Sequence, residues 1–244
     1  MRNVRLDICY DGTRYKGWQR LARGEDTIQA KLEKTLSRIL EEPIEVTGSG
    51  RTDAGTHAQY QVVNFHCNST MPAQKILSQL RRYLPEDIGI YSCRNVSERF
   101  HARLNAKTKT YCYRLWNSEQ PCVFQRKYVC VDSREVDLQA IRAAAGHFLG
   151  THDFSAFCAN KNVKKSTVRT IYRCDVERVG EEIVFTVTGN GFLHNMVRIL
   201  VGTLLEVGRG ERSGDGIPEL FGGNREDAGM TVPACGLCLM EVTY

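Results

Sequence analysis

The chain has no run of about 18 apolar residues, the length a membrane-spanning helix needs. Its start, MRNVRLDICYDG, carries Arg2, Arg5 and Asp7 where a signal peptide has an apolar centre. A soluble, cytoplasmic protein with no membrane partner is expected. Low-complexity segments are also absent, and 244 residues suffice for one large domain or two small ones with a sizeable core. Phosphate-loop chemistry is disfavoured by pattern: no Gly-Lys-Ser/Thr follows the glycines, and no G-x-G-x-x-G opens a helix.

Cysteine is not scarce, but its arrangement lacks what a scaffold or a zinc site requires. Ten cysteines are spread over the chain, and Cys9, Cys67, Cys130 and Cys174 sit inside apolar runs, as buried free thiols do. The single close pair, Cys235 and Cys238, has neither a second C-x-x-C nor an H-x-x-x-H to complete four ligands. No metal is expected.

Acidic residues are missing where basic ones gather. The net charge is only +5, yet FCANKNVKKSTVRTIYR, residues 157–173, holds Lys161, Lys164, Lys165, Arg169 and Arg173 without one acid. TRYKGWQRLAR near the start is similar. Basic blocks interleaved with aromatics suit a phosphate backbone with stackable bases. A solvated surface loop accounts for them equally well.

Periodicity supplies the plan. VRLDICYDG alternates as a strand into a turn. Asp26-Thr-Ile-Gln29 resembles a capping box before IQAKLEKTLSRIL, whose Ile28, Leu32 and Leu36 recur at helical spacing. IEVTGSG, QYQVVNFHC and IGIYSCRNV read as strands, and PAQKILSQLRRYL as a helix. In the second half KTYCYRLW is a strand, DLQAIRAAAGHFLG a helix, and STVRTIYRCDVERV with EEIVFTVTGN a strand pair joined at Gly180. FLHNMVRILVGTLLEVGRG is a helix ended by glycine, and CGLCLMEVTY a last strand. The expectation is an α+β fold of two similar halves, each a mainly antiparallel sheet backed by helices, with an active-site cleft between them. The cut falls near residues 103–107, giving halves 1–104 and 105–244.

The stretch GSGRTDAGTHA, Gly48 to Ala58, carries the strongest chemical signal. Asp53 lies between Gly50 and Gly55, where the backbone can turn sharply and present a short carboxylate, with Arg51 nearby to keep it ionised and nucleophilic. An Asx-turn, in which Asp53 bonds its own backbone, is the competing account. His57 reads as a hydrogen-bonding residue that shapes the turn, since a third close metal ligand is missing. Tyr111 alternates with Tyr113 on a strand, the ordinary place of a core tyrosine. Arg198 stands among Leu193, Met196, Val197, Ile199, Leu200 and Val201, where a charge needs a carboxylate partner or must snorkel to solvent.

GSGRTDAGTHA resembles the catalytic-loop motif of the TruA family of tRNA pseudouridine synthases. The likeness continues in order along nearly the whole chain, through YDGTRYKGWQ, RFHARLNAKTKTYCYRLW, GTHDFSAF, STVRTIYR, GNGFLHNMVRILVGTLLEVGRG and VPACGLCLMEV. The resemblance implies the pseudouridine-synthase fold and isomerisation of uridine to pseudouridine at positions 38, 39 and 40 of the tRNA anticodon stem-loop. It implies a homodimer and no cofactor. It makes Asp53 the nucleophile, Tyr111 the residue that stacks on the flipped base, Arg198 the ion-pair partner of Asp53, Arg51 the arginine that displaces and holds the flipped nucleotide, and Leu237 an apolar pocket wall. Lys161, Lys164, Lys165 and Arg169 are then expected to contact phosphates. Three positions depart from the family pattern: Thr56 stands where valine is common, Tyr60 where glycine is, and Cys238 where an aromatic is.

Overall fold

A computed structural model describes residues 1–22, 24, 26–160 and 166–244. The chain forms two compact units. The first comprises Met1–Lys107 and Cys238–Tyr244, and the second Thr108–Leu237. The cut at 104 read from sequence leaves the last strand with the second half; here residues 238–244 join the first.

In the first unit β1 (Arg2–Tyr10) lies antiparallel to both β3 (His57–Cys67) and β4 (Ile88–Val96), and β2 (Val46–Gly48) pairs antiparallel with β3. The last strand, β10 (Leu237–Thr243), runs parallel to β3, with Cys238 opposite His57. The period-2 pattern of β1 puts Val4, Leu6, Ile8 and Tyr10 into the core. Helices α1 (Ile28–Leu40) and α2 (Ala73–Tyr83) add Ile28, Leu32, Leu36, Ile76, Leu77 and Leu80. The cap of α1 falls one residue later than the sequence suggests. Thr27, not Asp26, is the N-cap and accepts from the Ala30 amide at 3.3 Å. Gln29 cannot complete a capping box because its amide group is committed elsewhere, receiving from Gln19 and Arg20 and donating to Glu33. Asp26 instead pairs with Lys31 at 2.8 Å.

The opposite flank of β1 is polar and also buried. Asn3 donates to the carbonyls of Ser97 and Phe100 at 3.0 and 2.7 Å. Asp7 receives Arg5, Ser92 and Arg94 at 2.7, 2.6 and 2.8 Å. Burial pushes the Asp7 carboxyl up, but these donors together outweigh burial and hold it below the usual carboxylate range.

The second unit is built on β5 (Thr108–Trp116), β9 (Glu182–Gly189), β8 (Val168–Val179) and β7 (Gly150–Asp153), paired antiparallel in that order, with short β6 (Cys130–Val131) parallel to β5. Helix α3 (Leu138–Gly146) is capped by Asp137, whose carboxylate accepts from the Gln139 and Ala140 amides at 2.8 and 3.0 Å. It packs against α4 (Met196–Gly208). Every residue of α4 is buried except Arg198 and Glu206. The helix begins at Met196 rather than Phe192, because Asn195 adopts a left-handed φ of 61° and cannot continue the turn. The α+β expectation thus holds, each unit being a mainly antiparallel sheet with two helices.

The ten cysteines are all free. Cys67 and Cys174 are buried as expected, while Cys9 and Cys130 are half-buried. Burial pushes the Cys174 thiol up to about 12. No group of three or more metal-ligating side chains occurs among the described residues. No helix among them is long and apolar enough to cross a membrane.

Candidate active site

The loop 49–56 leaves β2 and enters β3. The Ser49 amide donates to the Val62 carbonyl at 2.8 Å, and its hydroxyl donates to the buried Gln61 side chain, whose own amide donates to the Gly50 carbonyl at 3.1 Å. Beyond that point the loop is fastened from below by YDGTRYKGW. The Trp18 amide donates to Thr52 O at 3.0 Å and the Gly55 amide to Tyr15 O at 3.3 Å, while the Tyr10 and Thr52 hydroxyls share a hydrogen bond of 2.9 Å. Burial pushes the Tyr10 phenol far above its ordinary value, so that hydroxyl stays neutral.

Asp53 sits half-buried at the first position of a turn in which its main-chain carbonyl accepts from the Thr56 amide at 3.1 Å. The third position is Gly55, at φ 78°, a backbone conformation that L side chains rarely adopt. Gly12 lies so close beneath the loop that a Cβ there would be 2.0 Å from Thr56 O. Its amide donates to His57 Nδ1 at 3.1 Å, so the imidazole holds the turn by accepting a backbone hydrogen bond. Asp11 Oδ1 lies 3.2 Å from the same nitrogen.

YDGTRYKGW is therefore the scaffold of the Asp53 loop, a role its basic and aromatic character did not suggest. Tyr15 and Trp18 are 2% and 3% exposed, and Trp18 packs 6.2 Å from Tyr10, so neither offers a stacking surface to an RNA base. The signal available in sequence was the close spacing of Gly12 and Gly17 opposite a second glycine-rich loop. Thr56 is the unsatisfied position in this loop. Its hydroxyl is buried without a hydrogen-bond partner. Thr56→Val removes that unsatisfied oxygen at nearly constant volume, and is expected to raise unfolding free energy by about 1 kcal/mol in a urea titration; a destabilised variant would show that the hydroxyl is satisfied.

The remaining candidates lie in the second unit, except Arg51, which is exposed in the first and lines a cleft described below. Tyr111 of β5 stands opposite Val187, is 6% exposed, and meets Phe192 edge-on at 5.1 Å. Tyr113, on the same side of the strand, is fully buried and donates to Pro233 O at 3.0 Å. Arg198 is half-buried at the start of α4, where its Nε donates to Val232 O at 2.7 Å and its Nη1 to Asn195 Oδ1 at 2.9 Å. These bonds fix the direction of the guanidinium. Leu237, at the start of β10, is 6% exposed. Arg169 is turned partly inward, Nη1 donating to the Ser166 and Val168 carbonyls at 2.9 and 2.6 Å. Lys161, Lys164 and Lys165 lie outside the described residues.

A family model described as tRNA pseudouridine synthase matches residues 8–105 and 144–244. The chain belongs to the tRNA pseudouridine synthase family. Asp53, Arg51, Arg198 and Leu237 fall inside the matched residues, and Tyr111 falls between the two matched segments. Relatives named tRNA pseudouridine synthase A 2 from Bacillus cereus and Clostridium perfringens are 43% and 44% identical, each over all of this chain and all of their own. A tRNA pseudouridine synthase A from Acetivibrio thermocellus is 44% identical over the same extent. Membership of this family agrees with the α+β architecture and with the catalytic-loop resemblance of Gly48 to Ala58.

Proposed function

We propose that this pseudouridine synthase converts uridine to pseudouridine at positions 38, 39 and 40 of the tRNA anticodon stem-loop, working as a cytoplasmic homodimer without a cofactor. The observation that carries the proposal is Asp53 itself, lifted on a loop whose turn is closed by Gly55 and whose backbone is tied to residues 10–18, inside the first of the two segments that the family model matches.

The reaction breaks the bond from ribose C1′ to N1 of uracil and forms one from C1′ to C5; C5 loses a proton and N1 gains one. It is an isomerisation, so no oxidant and no second substrate enters. A base inside a stem is out of reach, and the uridine must leave the helix at a cost of a few kcal/mol. Tyr111 then stacks on it, Leu237 walls the pocket, and Arg51 holds the disturbed nucleotide. Asp53 acts as the anion that opens the glycosidic bond, with Arg198 as its ion-pair partner. The orientation of Arg198 by Val232 and Asn195 supports that role, because a guanidinium fixed beforehand loses little freedom when it meets a carboxylate. Lys161, Lys164, Lys165 and Arg169 bind phosphates, which makes affinity fall with salt. Asp53 attack at C1′, attack at C6 and assistance to a glycal are three routes to the same product. Asp53 and Tyr111 are the candidates for removing the C5 proton.

Because C5 exchanges its hydrogen for carbon, tRNA transcribed with [5-³H]uridine reports the reaction directly. The protein is expected to release tritium to water, up to the number of target uridines per tRNA. Intact label after prolonged incubation would overturn the assignment.

A further inference from the structure

The block RFHARLNA has no part in the chemistry above, yet the structure invests heavily in it. Residues 101–105 form a turn pinned from all sides. His101 Nδ1 accepts from the Arg103 and Leu104 amides, both at 3.2 Å, which requires that nitrogen to be unprotonated. The Asn105 side chain accepts from the His101 amide at 2.7 Å. The buried Asn64 side chain accepts from the Ala102 amide at 2.9 Å, and the Tyr244 hydroxyl donates to Ala102 O at 2.7 Å. Of its three exposed residues, Asn105 turns its side chain back onto the His101 amide, which leaves Arg103 and Leu104 as the side chains so rigid a turn presents.

Arg103 lines a cleft of about 340 Å³ in the first unit, together with Arg51, Arg20 and Gly50 of the catalytic loop's near end. Three arginines line it against a single carboxylate, Glu45. Arg20 is engaged with the buried Glu33 at 2.8 Å and with Glu45 at 3.4 Å. Arg51 and Arg103 are different. Neither guanidinium has a hydrogen bond or an ion pair among the described residues, and both are exposed. Two unpaired guanidiniums on the walls of a concave polar cleft, one held by a rigid turn and the other on the loop that carries Asp53, form an anion site.

We infer that this cleft holds one backbone phosphodiester of the substrate RNA between Arg51 and Arg103, with Arg103 as a positioning residue. The inference rests on the tRNA reading above and adds a contact that fixes the strand relative to the Asp53 loop. A single phosphate contact acts through counterion release, so its loss weakens binding and flattens the salt dependence by about one unit of log K against log salt.

The test uses the whole protein and an unmodified anticodon stem-loop RNA, as wild type and as Arg103→Gln, with single methylphosphonates placed along the backbone. Arg103→Gln is expected to raise Kd and KM about tenfold at 0.1 M salt with a smaller change in kcat, and to lower the salt slope by about one. One methylphosphonate position should weaken the wild type and weaken the variant distinctly less, because Arg51 alone then faces that phosphate. Because the side chain is exposed and unpartnered, thermal unfolding should be unchanged. An unaltered slope and affinity in a variant that still modifies tRNA would overturn the phosphate site alone, whereas a wild type that neither binds nor modifies tRNA would overturn the functional reading with it. Displacement of the stem-loop by micromolar uridine 5′-monophosphate, with a flat methylphosphonate scan, would assign the cleft to a free nucleotide and overturn the inference.

Discussion

Asp53→Asn is expected to lower turnover on tRNA by more than about 10⁴-fold, the scale on which removal of a covalent nucleophile acts, while tRNA affinity stays within a few-fold. The amide is nearly the same size and shape as the carboxylate, so the loop, whose ties run through Thr52, Gly55 and Thr56 backbone atoms, keeps its form. What is lost is the negative charge that the proposed role of Asp53 requires. Single-turnover tritium release, with filter binding on the same preparations, separates the two quantities. Turnover within tenfold of wild type would show that another group opens the glycosidic bond. A parallel loss of binding and folding would mean that Asp53 serves the turn and not the chemistry.

Gly12→Ala is expected to be nearly as damaging by a different route. The added carbon would come 2.0 Å from Thr56 O, well inside contact distance, and its obstacle is backbone that cannot swing aside. Either the Asp53 loop or the 10–18 segment must move, which also disturbs the hydrogen bond that the Gly12 amide donates to His57 Nδ1. Overpacking of this kind costs about 3 kcal/mol, and a shift of 1 Å at reacting atoms costs about 10²-fold in rate. Both a lowered urea midpoint and a lowered kcat are therefore expected. Gly216→Ala, where an added carbon meets nothing within 4 Å, is the control and should be close to neutral. Wild-type stability and rate in Gly12→Ala would contradict the close approach that positions the Asp53 loop.

Much of this was legible in the residues because the relevant signals are local. Ile28, Leu32 and Leu36 declare α1 by spacing, and the glycines around Asp53 declare a bent loop. Signals set by partners distant in sequence were read less well. Tyr15 and Trp18, in a basic stretch, looked like a stacking surface; their burial depends on Tyr10 and Thr52, which only the folded chain brings to them. The cap of α1 slipped by one residue because Gln29 finds better partners in Gln19, Arg20 and Glu33 than in the helix end. Phe192 left the helix for Tyr111 because Asn195 turns left-handed, which its identity permits and does not announce. The return of β10 to the first unit is a parallel pairing of Cys238 with His57, and no nearby turn foretells it. Arg103 belonged to a recognisable block, but only the fan of bonds around His101 shows how firmly it is held.

The most direct measurement is positional. The purified protein is incubated with unmodified tRNA in the presence of a metal chelator, and pseudouridine is mapped nucleotide by nucleotide, with Asp53→Asn in parallel. Pseudouridine at positions 38, 39 and 40 with the wild type, and at none of them with the variant, is the expected result. Unmodified anticodon stem-loops after full incubation, or equal modification by the Asp53→Asn protein, would contradict it.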